Sequence, residues 1–238
     1  MNARRVLFAL PGLHRVSRGA EVAFERVAAG LAGLPDFEVV VCGSGPAIDG
    51  RPYRYIRVGM VPRERFEKWP KFPPMRSEFR WEESTFAWSL LGAARRLRPH
   101  VTVTCSYPFV SWVLRSCRGE DGRRSRHVFV NPGFYEFNKR TWNCTLVPNG
   151  VDREKFAPGP GARRDFGIPD DAPVVVMASA LIPSKNVALA VRSVGLLDRA
   201  WLVVAGDGPC RDEVDALARE HLPGRFLRTT LTPDRMPA

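Results

Sequence analysis

Residues Val147-Pro148-Asn149-Gly150-Val151-Asp152, followed by Phe156 and Pro158, punctuate this chain just past its middle. Proline, asparagine and glycine in close succession continue neither a helix nor a central strand. The string therefore reads as a hinge between two halves, and each half must bury its own apolar segments. In the first half, Val6 to Leu10 is a continuous apolar run stopped by Pro11-Gly12. That is the pattern of a strand buried on both faces of a parallel sheet. Gly19 to Leu34 follows, with Ala20, Phe24, Val27, Leu31 and Leu34 at helical spacing, and Phe37 to Cys42 is a second buried run. Strand, helix and strand in that order imply a right-handed crossover in a parallel sheet.

The alternation continues. Tyr53 to Val58, Val101 to Cys105 and His127 to Val130 read as strands, and Ser84 to Leu97 and Phe109 to Cys117 as helices. The passage from Val130 into Asn131-Pro132-Gly133 shows no further strand–helix unit before the hinge, so a short first half is expected. After the hinge, Ala162 to Phe166 suits one helical turn. Pro173 to Ala178, Trp201 to Ala205 and Arg225 to Thr229 read as strands, with helices at Val187 to Leu197 and Arg211 to His221. The predicted fold class is α/β, with two Rossmann-like domains built on parallel sheets, residues 1–146 and 147–238, the second incomplete. Three strands ending near Thr230 leave an open sheet edge and unfilled helix faces.

Composition narrows the partners. No apolar run approaches the roughly 20 residues that span a bilayer, and the N-terminal run is too short for the core of a signal peptide. Cys42, Cys105, Cys117, Cys144 and Cys210 include no C-x-x-C pair and are odd in number, which favours neither a metal site nor a disulfide framework and fits a reducing cytoplasm. The net charge is +11. Such a balance suits an arginine-rich solvated surface or an anionic partner. From Arg51 to Arg80, basic residues alternate with Phe66, Trp69, Phe72 and Phe79. That mixture suits an anionic membrane surface or a nucleic-acid groove. It equally suits a long loop whose aromatic side chains pack on the core.

Three constellations carry chemistry. The first is the loop after the first strand, Pro11 to Glu21, with Gly12, His14, Arg15, Arg18 and Gly19. Ligands of doubly wound sheets sit at the carboxyl ends of strands, and a glycine at a helix start lets backbone N–H groups approach a phosphate. Gly19 equally suits a tight turn. No G-x-G-x-x-G string occurs, so no nicotinamide or flavin cofactor is indicated. The second is Ser179 to Asn186, where Lys185 at the mouth of a parallel sheet could neutralise a diphosphate; it could equally be a solvated lysine behind a Ser184 cap. The third is Gly206-Asp207-Gly208-Pro209, which turn chemistry alone explains.

In this order the pieces resemble family 4 retaining glycosyltransferases, enzymes of the GT-B fold. Pro148 to Asp152 resembles that family's linker, Pro173 to Lys185 its strand and lysine loop, Trp201 to Pro209 its following strand and turn, and Arg18-Gly19-Ala20-Glu21 the start of its first helix. The resemblance implies transfer of a sugar from a nucleotide-sugar to a glycan, lipid or small-molecule acceptor, with retention and without an obligatory metal or cofactor. It implies donor contacts from Gly19, Lys185, Gly206, Asp207 and Gly208, with His14, Arg18 and Ser179 at the cleft. Ala180 stands where the family has a phosphate-binding arginine, and Arg18 where it has a glycine. The family's pair of glutamates seven residues apart would fall beyond Ala238, so the chain is expected to be shortened in both domains. Two alternatives stand beside this reading: a non-catalytic relative that keeps the fold, and a basic binder of anionic lipid or nucleic acid. A cytoplasmic protein with peripheral contact at an anionic membrane is expected, with nucleic acid the weaker partner.

Overall fold

The computed structural model describes residues 3–157, 159, 161 and 163–231. Pro158 of the hinge string, Ala162 and the stretch 232–238 lie outside the described residues. The chain divides into two compact units, residues 1–150 and 151–238.

The first unit is a parallel sheet of six strands: β1 (Arg4–Ala9), β2 (Phe37–Gly43), β3 (Arg54–Arg57), β4 (Val101–Thr104), β5 (Arg126–Phe129) and β6 (Cys144–Leu146). Their spatial order is β3-β2-β1-β4-β5-β6, the order of the dinucleotide-binding folds. Successive side chains of a strand point to opposite faces, and the apolar run of β1 therefore serves two cores. Leu7 and Ala9 pack under α2 (Glu78–Leu97) and α3 (Pro108–Arg115), against Phe86, Leu90, Val110 and Leu114. Val6 and Phe8 pack under α1 (Gly19–Ala32), against Phe24 and Ala28. A strand apolar at every position is what a sheet covered on both faces demands.

Two expectations change. A helix, α4 (Pro132–Asn138), and the strand β6 occupy the passage between Val130 and the hinge, where the sequence showed no such unit. Asn131-Pro132-Gly133 is a helix start: the Asn131 side chain accepts the N–H of Phe134 at 3.2 Å, and proline stands at the first helical position, where no N–H partner is needed. β6 is three half-buried residues, too short for an apolar run to announce it. The second change is in α2, which begins at Glu78, well before Ser84. Its first turns are held by the aromatic segment that precedes it. Phe66, Trp69 and Phe72 lie 5.8, 5.0 and 6.0 Å from the Trp81 ring. Arg63, Lys71 and Arg80 pair with Glu82, Glu78 and Glu83. These aromatic rings are spent on one another and these cations on carboxylates, as in the packed-loop reading of Arg51 to Arg80.

α2 and α3 are joined by a buried carboxylate. Glu83 is fully buried, and its Oε1 accepts the N–H of Phe109 at 2.6 Å and of Val110 at 3.4 Å. These are orphan donors of the first turn of α3, where a negative charge is favoured. The other oxygen accepts from Arg80 at 2.8 Å. Burial pushes the Glu83 carboxyl above its ordinary value, while Arg80 and the two N–H groups pull it down. In β5, His127 is buried beside Phe129 and Trp142. Its Nδ1 meets the Thr102 hydroxyl at 2.9 Å, its Nε2 has no partner, and burial lowers its pKa to about 4.

The second unit is a parallel sheet β7-β8-β9, with β7 at Val174–Ala178, β8 at Trp201–Ala205 and β9 at Phe226–Thr229. The helices α5 (Val187–Gly195) and α6 (Arg211–His221) supply Val187, Val191, Val194, Val214 and Ala218 to a core with Leu202 and Val204. The other face has a smaller cover: Ile168 and Ala172 meet Val203, and Val176 remains 67% exposed.

Two outcomes follow. Glu83→Ala leaves two helix-start N–H groups without an acceptor and should destabilise the first unit by about 3 kcal/mol. Glu83→Gln keeps the acceptor oxygen and should lose clearly less; equal losses in denaturant melts would remove the capping role. The native state excludes the proton that an unfolded His127 binds near pH 6.5. Stability should therefore fall as pH drops from about 6.5 to about 4, by on the order of 3 kcal/mol from this group. His127→Gln should flatten that acid slope, and an unchanged slope in the variant would assign it elsewhere.

Candidate functional site

In the first unit the crevice expected of this strand order lies where β1 and β4 meet, at their carboxyl ends. β1 runs out into the loop Pro11–Arg18, and β4 into Ser106 and Tyr107. A small cavity of about 50 Å³ opens there, lined by Gly12, Arg15, Arg18, Glu21, Arg63, Glu82 and Tyr107 among others. Its charges are of both signs, and they differ in how far they are already satisfied. Glu82 is spent: it accepts from the Arg63 guanidinium at 2.9 Å and from the Arg63 backbone N–H at 3.0 Å. Arg15 stands 3.8 Å from Glu82 and 3.9 Å from Glu64, within Coulombic reach but beyond a good hydrogen bond. Arg18, the residue before α1, is exposed, and its guanidinium has no hydrogen-bond or ion-pair partner among the described residues.

Glu21 is the informative member. It faces inward from the first turn of α1 and is 3% exposed, yet its Oε2 has no partner. Gly12 makes this placement feasible, because a Cβ there would stand 2.1 Å from Glu21 Oε1 and 2.9 Å from the Val16 side chain. A buried carboxylate oxygen without a donor costs free energy, so an N–H or O–H entering the cavity would be favoured there. Tyr107, whose hydroxyl has no protein partner among the described residues and whose pKa is raised by burial, offers a donor to the same space. An unspent acceptor beside unspent donors suits a hydroxyl group, which is both.

The sequence singled out Arg18 and Gly19 near this cavity. Arg18 lines it; Gly19 opens α1, with nothing within 4 Å of where a Cβ would stand. His14 is placed differently. Its ring stacks on Tyr55 at 4.0 Å, Nδ1 meets the Pro46 carbonyl at 3.1 Å and Nε2 the Tyr53 hydroxyl at 2.9 Å. A carbonyl only accepts, so Nδ1 carries the proton and Nε2 accepts from Tyr53. Both ring nitrogens are thus engaged on the β3 side, away from the cavity lining. Glu21 was not singled out as a cavity residue; the signal that could have found it is a carboxylate in helical register with Phe24 and Ala28, the buried residues of α1. Arg63, Glu82 and Tyr107 come from remote segments and carried no sequence signal.

In the second unit the expected residues gather on two adjoining loops. Gly206 follows β8 with φ 157°, and a Cβ there would stand 1.9 Å from the Ser179 carbonyl oxygen; at Gly208 the clash would be 2.5 Å from the Leu181 carbonyl oxygen. The bare glycines let the loop after β8 lie on the loop after β7. Leu181 N–H donates to the Asp207 carbonyl, and Cys210 N–H to the Leu181 carbonyl, both at 3.0 Å. Ser179 takes part through its backbone, donating to Ala205 at 3.0 Å. Asp207 turns back to accept the Gly208 N–H at 2.9 Å. Lys185 closes the short turn Pro183–Lys185, directly before α5. It is exposed, and its ammonium has no hydrogen-bond or ion-pair partner among the described residues. The first turn of α5 holds no acidic residue, whereas that of α6 holds Asp212 and Glu213. Of the two helix starts, an anion therefore favours the one beside Lys185.

No family model matches the chain, and no curated protein matches its sequence. Solved structures match it in shape. Sucrose-phosphate synthase from Thermosynechococcus elongatus is 14% identical, with 97% of this chain and 71% of that one covered at a TM-score of 0.67. The fold is of the GT-B type. Anabaena HepE, solved in complex with UDP-glucose, is 12% identical over 97% of this chain and 70% of its own, with a TM-score of 0.63. A glycosyltransferase from Rickettsia africae is 10% identical over 100% and 70%, with a TM-score of 0.61. At these identities the likeness is one of fold.

The two glycines give opposite expectations. Gly206→Ala forces its Cβ against backbone and should destabilise the second unit by about 2 kcal/mol or more. Gly19→Ala enters open space at a helical position and should be neutral or stabilising by up to about 1 kcal/mol. Thermal melts of the two variants distinguish them, and a tolerated Gly206→Ala would contradict the close approach of the loops.

Proposed function

We propose that the chain is a glycosyltransferase of the family 4 type, moving a sugar from a nucleotide-sugar to a hydroxyl-bearing acceptor with retention and without an obligatory metal. One observation carries the donor half. Lys185 presents an unpaired ammonium in the loop after a strand of a parallel sheet, separated from the start of α5 by Asn186 alone. An anionic diphosphate at that place gains from the lysine charge and from the positive end of the α5 dipole. The same contact stabilises the charge that grows on the diphosphate as the bond to the sugar breaks, which lowers the barrier. Asp207 and the two flanking glycines hold the loop beside it. HepE, with the same fold, is solved with UDP-glucose, which supports a uridine nucleotide as the first donor to try.

The acceptor half rests on the first unit. Glu21 Oε2 takes a hydrogen bond from an acceptor hydroxyl, and Arg18 and Tyr107 donate to its oxygen. Gly19, without a side chain, leaves the approach to the first turn of α1 open. The non-catalytic alternative keeps the same contacts and lacks only turnover, so binding and transfer are measured separately.

Calorimetric titration of UDP, GDP and ADP into the full chain should give saturable binding with at least one of them. Lys185→Ala should weaken it by about tenfold or more, as loss of a charge-assisted contact does, with the melting curve unchanged because the side chain is exposed. Nucleotide binding indifferent to Lys185 would sink the donor assignment. Binding without transfer from the matching nucleotide-sugar would favour the non-catalytic reading.

A further inference from the structure

One surface of the first unit has no role in the account so far. The strands of a parallel sheet all begin at one edge, here the edge opposite the crevice, and that edge is crowded with arginine. Between residues 95 and 126 the chain carries eight arginines and two acidic residues, a net +6 out of the whole chain's +11. Folding gathers them. Arg95, Arg96 and Arg98 lie at the end of α2, Arg115 and Arg118 at the end of α3, and Arg123, Arg124 and Arg126 lead into β5. Arg95 Nε reaches Ser116 Oγ at 3.5 Å, the Arg98 guanidinium donates to the Glu120 carbonyl at 3.2 Å, and the Arg126 N–H donates to the His100 carbonyl at 2.9 Å. The three segments therefore meet. All eight arginines are exposed, and none forms an ion pair among the described residues. The two acids are engaged: Glu120 with Arg5 at 3.1 Å, and Asp121 with the Arg123 N–H at 3.0 Å. Like charges gathered on one surface repel, and packing does not call for them. The guanidinium groups of Arg96, Arg123, Arg124 and Arg126 have no hydrogen-bond partner among the described residues.

The cluster continues along α2. The exposed residues of that helix are Trp88, Ser89, Gly92, Arg95 and Arg96, which helical spacing places on one strip. Trp88 is 81% exposed. Gly92 leaves the strip bare between Trp88 and Arg95, and a guanidinium nitrogen of Arg96 lies 3.7 Å from where a Gly92 Cβ would stand. Arg96 is thus directed back along the helix toward Trp88. Charge alone suits the phosphates of a nucleic acid as well as those of a bilayer, and Trp88 decides between them. An indole on an exposed helix face gains from the headgroup region, where its ring meets acyl chains and its N–H stays wet. The backbone of a duplex offers it nothing. A single strand calls for a series of rings among the cations, and this strip presents one ring at its end.

We infer that the amino edge of the first unit is a docking surface for an anionic bilayer, with its arginines on lipid phosphates and Trp88 among the headgroups. The surface is distinct from the segment Arg51 to Arg80, whose rings close on one another, and it leaves the crevice at the opposite edge free. It does not rest on the transferase reading. Sedimentation of the full chain with vesicles tests it. Vesicles of phosphatidylglycerol mixed with phosphatidylcholine should carry the protein down at low salt and release it as salt rises; vesicles of phosphatidylcholine alone should not. Arg123→Ala combined with Arg124→Ala should weaken binding about thirtyfold. Trp88→Ser should weaken it about fivefold, and Trp88→Phe should retain most of it. These side chains are exposed, so the variants should melt like the parent. Arg65→Ala combined with Lys68→Ala removes the same charge from the segment before α2 and should matter far less.

Equal binding to both kinds of vesicle, or binding to neither, would overturn the inference. So would equal losses from the two double variants, because net charge rather than this edge would then govern binding. Tighter binding of a DNA duplex at the same salt, indifferent to Trp88, would overturn it in favour of a nucleic-acid surface. The nucleotide titration is a separate measurement. Vesicle binding without nucleotide binding leaves this surface and removes the donor site, and nucleotide binding without vesicle binding does the reverse.

Discussion

A parallel strand has to be apolar on both faces, and that requirement organises the first unit. Leu7 and Ala9 turn toward α2 and α3 while Val6 and Phe8 turn toward α1, so β1 cannot move without disturbing two cores. Its neighbours β2 and β4 are fixed in register on either side. The chain must leave β1 and β4 at the same edge, in loops that diverge to opposite faces. A crevice at that edge is a geometric consequence of strand order. The residues that line it were free to specialise because they lie outside the core.

What fills the crevice is balanced in charge but not in hydrogen bonding. The Arg63–Glu82 pair is closed on itself and shapes the wall. Glu21 is buried with an oxygen to spare, held in place by a position where only glycine fits. The contrast separates wall from function: a satisfied ion pair offers a ligand little, whereas an unsatisfied buried carboxylate gains from any donor that enters. The second unit works by a different device. There the glycines at 206 and 208 serve loop against loop, and the group left unspent is the ammonium of Lys185. Both glycines therefore have a packing explanation that is complete without a ligand, and the weight of the donor reading falls on the lysine.

Much of this was legible in the chain itself. Continuous apolar runs ended by proline or glycine marked β1, β2 and β8 close to their observed limits, because a doubly covered strand leaves no polar residue to blur the pattern; β4 and β7 were legible too, from their β-branched residues. The failures have the opposite cause. β6 is three residues at a sheet edge with little burial, and α4 buries nothing, so neither left an apolar period to read. Asn131-Pro132-Gly133 looks like a turn because capping and turn-making use the same residues for the same reason: a side-chain oxygen free to accept a backbone N–H. Lys185 and Gly19 were readable as positions relative to a strand. Arg63, Glu82 and Tyr107 reach the cavity only through tertiary packing, and His14, attractive in the loop after β1, is drawn aside by Tyr53 and Tyr55.

The aromatic content of the chain separates into two populations once the structure is known. Phe66, Trp69, Phe72 and Trp81 close on one another and on the start of α2. Trp112, Phe134 and Phe137 border a groove, and Trp142 borders it while also packing on His127 and Phe129. Composition cannot distinguish these, since both sets lie among arginines and lysines. The difference lies in what the rings face: other rings throughout the first set, and an open groove on one side of the second. Phe137 is 88% exposed on a seven-residue helix, so it adds little apolar burial to the fold, whereas Phe66, 3% exposed, adds a full share.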